Sequence, residues 1–219
     1  MITSDELVRR VRRLLNEAEE DTSLSLLIEE TRNIDGHVLG LLPHAVALVQ
    51  KNKASGYGNV NPRTVDVETS GLVDCGNGCA SLPLPDDFAA LVSVQLKGWR
   101  RPCRKLLSRE SGEAVALSNG YVRAGVCRPL CMEGVTDDGS RVALLSPLPS
   151  DDTPRLEHFV YEAEFDASEG LVGCSDVLAD AVAYYCVALL YSVFERQDQS
   201  NAYLSLATLL CNGNGGERR

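Results

Sequence analysis

Cysteine is the residue type with the most chemistry to offer in this 219-residue chain, which holds eight of them. Cys75 with Cys79 and Cys127 with Cys131 form two C-x3-C pairs. Zinc ligands commonly come as pairs two to four residues apart, so four thiolates have the makings of a tetrahedral site. Against a metal stand the long separation of the pairs, their dissimilar flanks (DCGNGCAS and VCRPLCME), and four further cysteines, Cys103, Cys174, Cys186 and Cys211. Cysteine is simply frequent here, and Cys186 inside AYYCVALL has the setting of a small buried hydrophobe. The three histidines, His37, His44 and His158, have no carboxylate or cysteine at a catalytic or metal-binding spacing. The carboxylate pairs Asp86-Asp87, Asp137-Asp138 and Asp151-Asp152 lie close to Pro or Gly, where turns prefer Asp for its bond back to the main chain. No G-x-S-x-G, G-x-x-x-x-G-K-[ST], H-E-x-x-H or post-strand G-x-G-x-x-G occurs. The expectation is therefore no catalytic residue, no cofactor and no assigned metal ligand, with the two C-x3-C pairs as the place where a metal reading stays open.

The residues suited to contact rather than catalysis are Trp99, Arg100, Arg101 and Arg104. Trp99 is the only tryptophan and stands among cations in KGWRRP, where it either stacks on a neighbouring arginine, anchors its region in a core, or acts as an exposed contact. The charge around it is segregated along the chain. Lys97 to Arg128 holds eight basic and two acidic residues, and Glu133 to Asp180 holds twelve acidic and two basic. That pattern reads either as solvated faces or as two complementary interaction surfaces. Overall, 21 Lys plus Arg against 31 Asp plus Glu give a net charge of -10, which disfavours general attraction to a nucleic acid or an anionic membrane. Local contact with DNA through Arg9 to Arg13 and Lys97 to Arg109 is a further alternative.

These residues must be positioned by elements the sequence also marks. Thr3 and Glu6 have the form of a capping box, and Leu7, Val11, Leu14, Leu15 and Ala18 follow at helical spacing with Arg9, Arg10, Arg12 and Arg13 on the remaining surface. Thr22 or Ser23 can cap a short second helix to Glu30, and Asp35 can start a third through Val49 that Pro43 should kink. Lys53 to Pro62 is a Gly/Asn-rich loop. Beyond it the period changes to two: Val65 and Val67, then Leu91 to Leu96, Ala114 to Leu117, Tyr121 to Val126, Arg141 to Leu145 and Phe159 to Phe165 read as strands. After Gly173, Ser175 caps a long apolar helix through Val193, and a last helix runs from about Ser200 to Cys211. Its charge-free stretch, Ala181 to Phe194, falls short of the roughly 20 residues that span a bilayer. It reads as a buried helix, and no membrane partner is expected. The acidic, arginine-rich first twenty residues do not form a secretory signal, so a cytoplasmic compartment and reduced thiols are expected.

The expected fold class is therefore α+β, a helical bundle built from the N- and C-terminal helices with a β-rich insertion. Its expected parts are a helical subdomain of residues 1–52 and 173–211, an insertion of residues 64–166, and a disordered tail of residues 212–219.

LPLPDDFAALVSVQLKGWRRP (Leu82 to Pro102) resembles the Leu-Pro-x-Asp-Phe-x-x-Leu segment, ahead of a strand, of tailed-phage and prophage head-to-tail adaptor proteins. SNGYVRAGVCRPLC (Ser118 to Cys131) is similar to the β segment that follows there, and Asp176 to Leu210 resembles their C-terminal helix pair. The resemblance implies a structural virion protein without catalysis: a homo-oligomeric ring joining portal to tail proteins, with DNA passing through its lumen unbound. It would reside in the virion, and in the host cytoplasm during assembly. The eight cysteines and the basic first helix are not part of that resemblance, and the alternative it leaves is a small cysteine-rich metal-binding regulatory or enzymatic domain.

Overall fold

The apolar stripe of the first helix finds its partner at the far end of the chain. The computed structural model describes residues 1–19, 30–54, 58–68, 70–76, 78–118, 124–149 and 153–212. They form two compact units, Met1–Pro62 with Glu164–Arg219, and Arg63–Ala163. The first unit contains helices α1 (Ser4–Glu19), α2 (Glu30–Asn52), α4 (Asp176–Val193) and α5 (Gln197–Asn212). The second holds helix α3 (Gly112–Ser118) and strands β2 (Val73–Gly76), β3 (Cys79–Pro83), β4 (Phe88–Leu96), β5 (Leu130–Val135), β6 (Arg141–Ser146) and β7 (Leu156–Ala163), while β1 (Pro62–Thr64) begins at the boundary. The architecture is mixed α+β with helices at both ends of the chain.

In the helical unit α4 is central, packed by α1, α2 and α5. Leu7 and Val11 of α1, Leu42, Val46 and Val49 of α2, and Val182, Tyr185 and Cys186 of α4 share one core. The apolar length of α4 would suit a membrane span by composition alone. Most of its apolar residues are instead buried in the helical unit. Ser175 caps it as the sequence indicates, accepting from the Leu178 amide at 3.3 Å. Half of the expected capping box forms on α1: Thr3 Oγ1 accepts from the Glu6 amide, while the Glu6 carboxylate meets Arg9 and Arg10. Asp35 does not start a helix. It lies within α2, where Arg12 grips its carboxylate through two donors at 2.7 and 2.6 Å. Pro43 also lies inside α2 and removes one rung of its hydrogen-bond ladder. The expected helix from Thr22 or Ser23 to Glu30 lies outside the described residues except Glu30, which begins α2, and the expected tail of residues 212–219 lies outside them except Asn212, which ends α5.

The insertion contains two sheets, ordered β1-β7-β4 and β2-β3-β6-β5. Across β4 and β7 the register pairs Leu91 with Tyr161, Val94 with Phe159 and Leu96 with Leu156. Phe88, Phe159 and Tyr161 stack at 5.7 to 6.2 Å between ring centroids, each such pair adding about 0.5–1.5 kcal/mol beyond area burial. The Tyr161 hydroxyl donates to Asp87, which also pairs with Arg63, and burial together with that carboxylate pushes the Tyr161 hydroxyl up to about 12.

Several strand expectations are corrected. Ala114 to Leu117 is helical in α3, because Ser111 caps the Ala114 amide and Glu, Ala and Leu favour a helix once it has started. Val65 and Val67 follow β1 in a loop, where Asp66 turns its carboxylate onto the Glu68 amide. Of Tyr121 to Val126 only the end is described, as a turn closed by Gly125 and Arg128.

Candidate functional site

The candidate contact residues follow directly from β4. Trp99 is buried at 4% exposure, and its indole N–H donates to the Pro147 carbonyl at 2.8 Å. It therefore anchors the core of the insertion and offers no contact face. Past it the chain turns outward at Arg100 and Arg101, returns inward at Cys103, and turns outward again at Arg104 and Lys105. The inward return is fixed by two main-chain bonds of 2.8 Å between Cys103 and Val94. Farther along, the Leu107 amide donates to Cys131 and its carbonyl accepts from Glu133, fastening the same segment to the edge of β5. One stretch of chain thus runs from the β4 edge to the β5 edge and walls a groove.

That groove collects Arg101, Arg104, Lys105 and Arg128 as cations, with Glu113 of α3 the acidic residue among them. Glu113 faces Lys105 at 3.1 Å and Arg128 at 4.0 Å. Arg101 and Arg104 make no ion pair among the described residues, where the groove counts four cations against one carboxylate. Of the four residues singled out from sequence, the structure brings Arg101 and Arg104 together, leaves Arg100 exposed outside the groove lining, and buries Trp99. Lys105, Arg128 and Glu113 escaped individual notice; their only signal was membership of the basic stretch Lys97 to Arg128.

Three thiols, those of Cys103, Cys127 and Cys131, also border the groove. Burial raises the pKa values of Cys103 and Cys131, so both are neutral thiols at physiological pH. The four-cysteine zinc reading is contradicted by strand register. Ala80 of β3, Leu145 of β6 and Cys131 of β5 lie in one cross-strand row and share a sheet face. Cys79 is one residue away from Ala80, so it projects from the opposite face. Two thiolates on opposite faces and two strands apart cannot both sit about 2.3 Å from one zinc ion. Among the described residues no group of three His, Cys, Asp or Glu is arranged to hold a metal.

Three of the four arginines on the basic face of α1 are paired. Arg10 reaches Asp180 at 2.6 Å and Asp176 at 2.7 Å, Arg12 pairs with Asp35, and Arg9 pairs with Glu6. Three arginines tied to carboxylates are poorly suited to track phosphates, which weakens the α1 half of the DNA-contact alternative.

A protein-family model described as SU10 adaptor protein matches residues 2–210 of the chain. Comparison with curated proteins finds no match.

Proposed function

Because the chain belongs to the SU10 adaptor protein family, we propose that it is a structural virion protein, a ring-forming head-to-tail adaptor that joins portal to tail without catalysing a reaction. The observation that carries this reading is the outer face of α5. Ser200, Ala207 and Cys211 are buried on its inner side, while Leu206 and Leu209, three residues apart on the opposite side, are 48% and 51% exposed. Val193 and Phe194 at the end of α4 are 59% and 51% exposed. A chain that works alone gains nothing from bare apolar helix faces, whereas a subunit uses them.

On this reading the ring stands between portal and tail proteins in the virion and assembles in the host cytoplasm. DNA passes through its lumen, and the net charge of -10 supports a wall that does not grip a moving polyanion. The alternative of a cysteine-rich metal-binding domain has the β3–β6–β5 register against it. The test is to measure the mass of the purified chain alone and with its portal protein, and to image the complex. A ring docked on the portal is expected. A chain that stays monomeric and joins neither portal nor tail proteins overturns the proposal.

A further inference from the structure

The insertion carries two unlike features at opposite ends of one strand. The basic groove borders the start of β5, at Leu130 and Cys131, and the β5–β6 turn, Thr136 to Ser140, caps its other end. Paired in register from Leu130↔Ser146 to Val135↔Arg141, the two strands make a stiff arm. It separates groove from turn by about 17 Å at roughly 3.4 Å per residue.

The turn is built to present rather than to bind within its own chain. The Thr136 amide donates to the Ser140 carbonyl at 3.0 Å, and Gly139, at φ +87°, donates to Thr136 at 2.9 Å. The Asp138 carboxylate is held inward by the Thr136 hydroxyl and the Ser140 amide. Asp137 is left exposed with no ion pair or hydrogen bond among the described residues, beside Val135 at 64% exposure. The tip therefore offers the unbonded carboxylate of Asp137, the charge of Asp138 within the turn, and one apolar side chain. The groove offers the guanidinium groups of Arg101 and Arg104 between apolar walls such as Leu107 and Pro129.

We propose that the hairpin tip of one copy, with Asp137 and Val135, seats in the Arg101–Arg104 groove of the next copy, making the head-to-tail contact between ring subunits. This rests on the ring-forming reading above. A ring requires two different surfaces that match each other, since a patch that meets itself gives a closed two-fold dimer. Opposite ends of one stiff arm supply such surfaces in a fixed relation. Nucleic acid fits the groove less well. Its four cations against the one carboxylate of Glu113 leave a net charge of about three, whereas a binder that neutralises about 6–10 phosphates needs a longer basic track. A single exposed ion pair is weak, so the burial of Val135 is a necessary part of the contact.

The test uses the full chain, with self-association followed by analytical ultracentrifugation at low salt and folding checked by helical signal and Trp99 fluorescence. Arg101→Glu with Arg104→Glu, and separately Asp137→Arg, should each raise the concentration needed for assembly about tenfold or more, because like charges then face each other. Combining all three changes should recover much of the assembly, because opposite charges then face each other again at Asp137 and the two arginine positions while Val135 is unchanged. A readout without any substitution is alkylation of Cys127, which borders the groove: it should be fast in the dilute chain and slow in the assembled one, with exposed Cys75 fast in both. Rings that form normally in both charge variants overturn this contact and leave the adaptor reading intact. Cys127 equally reactive in both states, or a triple variant that folds but stays dissociated, also overturns it. A wild-type chain that never assembles, alone or on the portal, brings down the ring reading and this contact with it.

Discussion

Replacing Leu7 by Ala tests whether the first helix is held by the C-terminal helix that the sequence leaves without a nearer partner. Leu7 is fully buried in the core that α1 shares with α2 and α4. Removing three carbons at ~0.8 kcal/mol each forfeits about 2.4 kcal/mol of transfer free energy. The space left behind adds to that, because a helix pinned along its length collapses only partly, giving about 3–5 kcal/mol in total. With roughly 2–4 °C lost per kcal/mol in a protein of this size, the melting temperature of the helical signal should fall by about 6–20 °C. Leu14 and Leu189 are only partly buried, so their alanine variants should lose clearly less. Exposed Arg13→Ala is the control and should stay within about 0.5 kcal/mol of wild type. Urea unfolding followed by circular dichroism measures all four. A Leu7→Ala loss below about 1 kcal/mol, or one no larger than that of Arg13→Ala, would refute the proposed packing.

A thiol reagent added to the dilute native chain should modify exposed Cys75 and Cys127 first and partly covered Cys79 and Cys174 next, with all eight reacting after denaturation; early reaction of buried Cys186 would contradict the core. Burial pushes Cys186 up to about 12 and also raises Cys131, whereas unfolded thiols titrate near about 8.5. The folded state thus holds protons that the unfolded state releases. Stability from these sites should be complete below about pH 8 and fall as pH climbs toward 12, so a urea midpoint that stays flat between about pH 8 and 10.5 would count against their burial. Trp99→Phe keeps most of the apolar volume but strands the Pro147 carbonyl, and should cost about 1–3 kcal/mol of insertion stability without changing the assembled mass. An altered mass in a stably folded Trp99→Phe protein would return the tryptophan to the interface.

The helices were legible because each carries its own period and start signal. Leu7 and Val11 recur four apart and are buried together, and Ser175 caps where a cap was due. Asp35 misled because an aspartate suited to capping is equally suited to a two-donor pair with Arg12, and only the packing of α1 beside α2 decides between them. The strands β2, β3 and β5 passed unnoticed for a related reason. Their Gly, Cys and Pro residues weaken any alternation; β2 and β5 are edge strands folded by hairpins onto β3 and β6, and the pairing that joins the two hairpins, such as Leu82 with Ala143, spans some sixty residues of sequence. α3 was misread because Ala114 to Leu117 is too short for period two and period 3.6 to diverge.

Charge shows most clearly what a linear reading lacks. Counting along the chain sets eight cations in Lys97 to Arg128 against twelve acids in Glu133 to Asp180, as though two whole surfaces faced each other. In the fold many of those charges are compensated close by: Asp176 and Asp180 hold Arg10, Glu133 holds Arg141, and Glu113 holds Lys105 and Arg128. Among the described residues, Arg101 and Arg104 in the groove and Asp137 and Asp138 on the β5–β6 turn make no ion pair, and of the two carboxylates Asp137 also lacks a hydrogen bond. Local pairs between exposed groups contribute little to stability, about 0–1 kcal/mol each, yet they determine which charges remain available to another molecule. The specificity of such a surface therefore comes from a few uncompensated groups held in place by Cys103, Leu107 and the Thr136 turn, and the crude charge totals of the two segments say little about it.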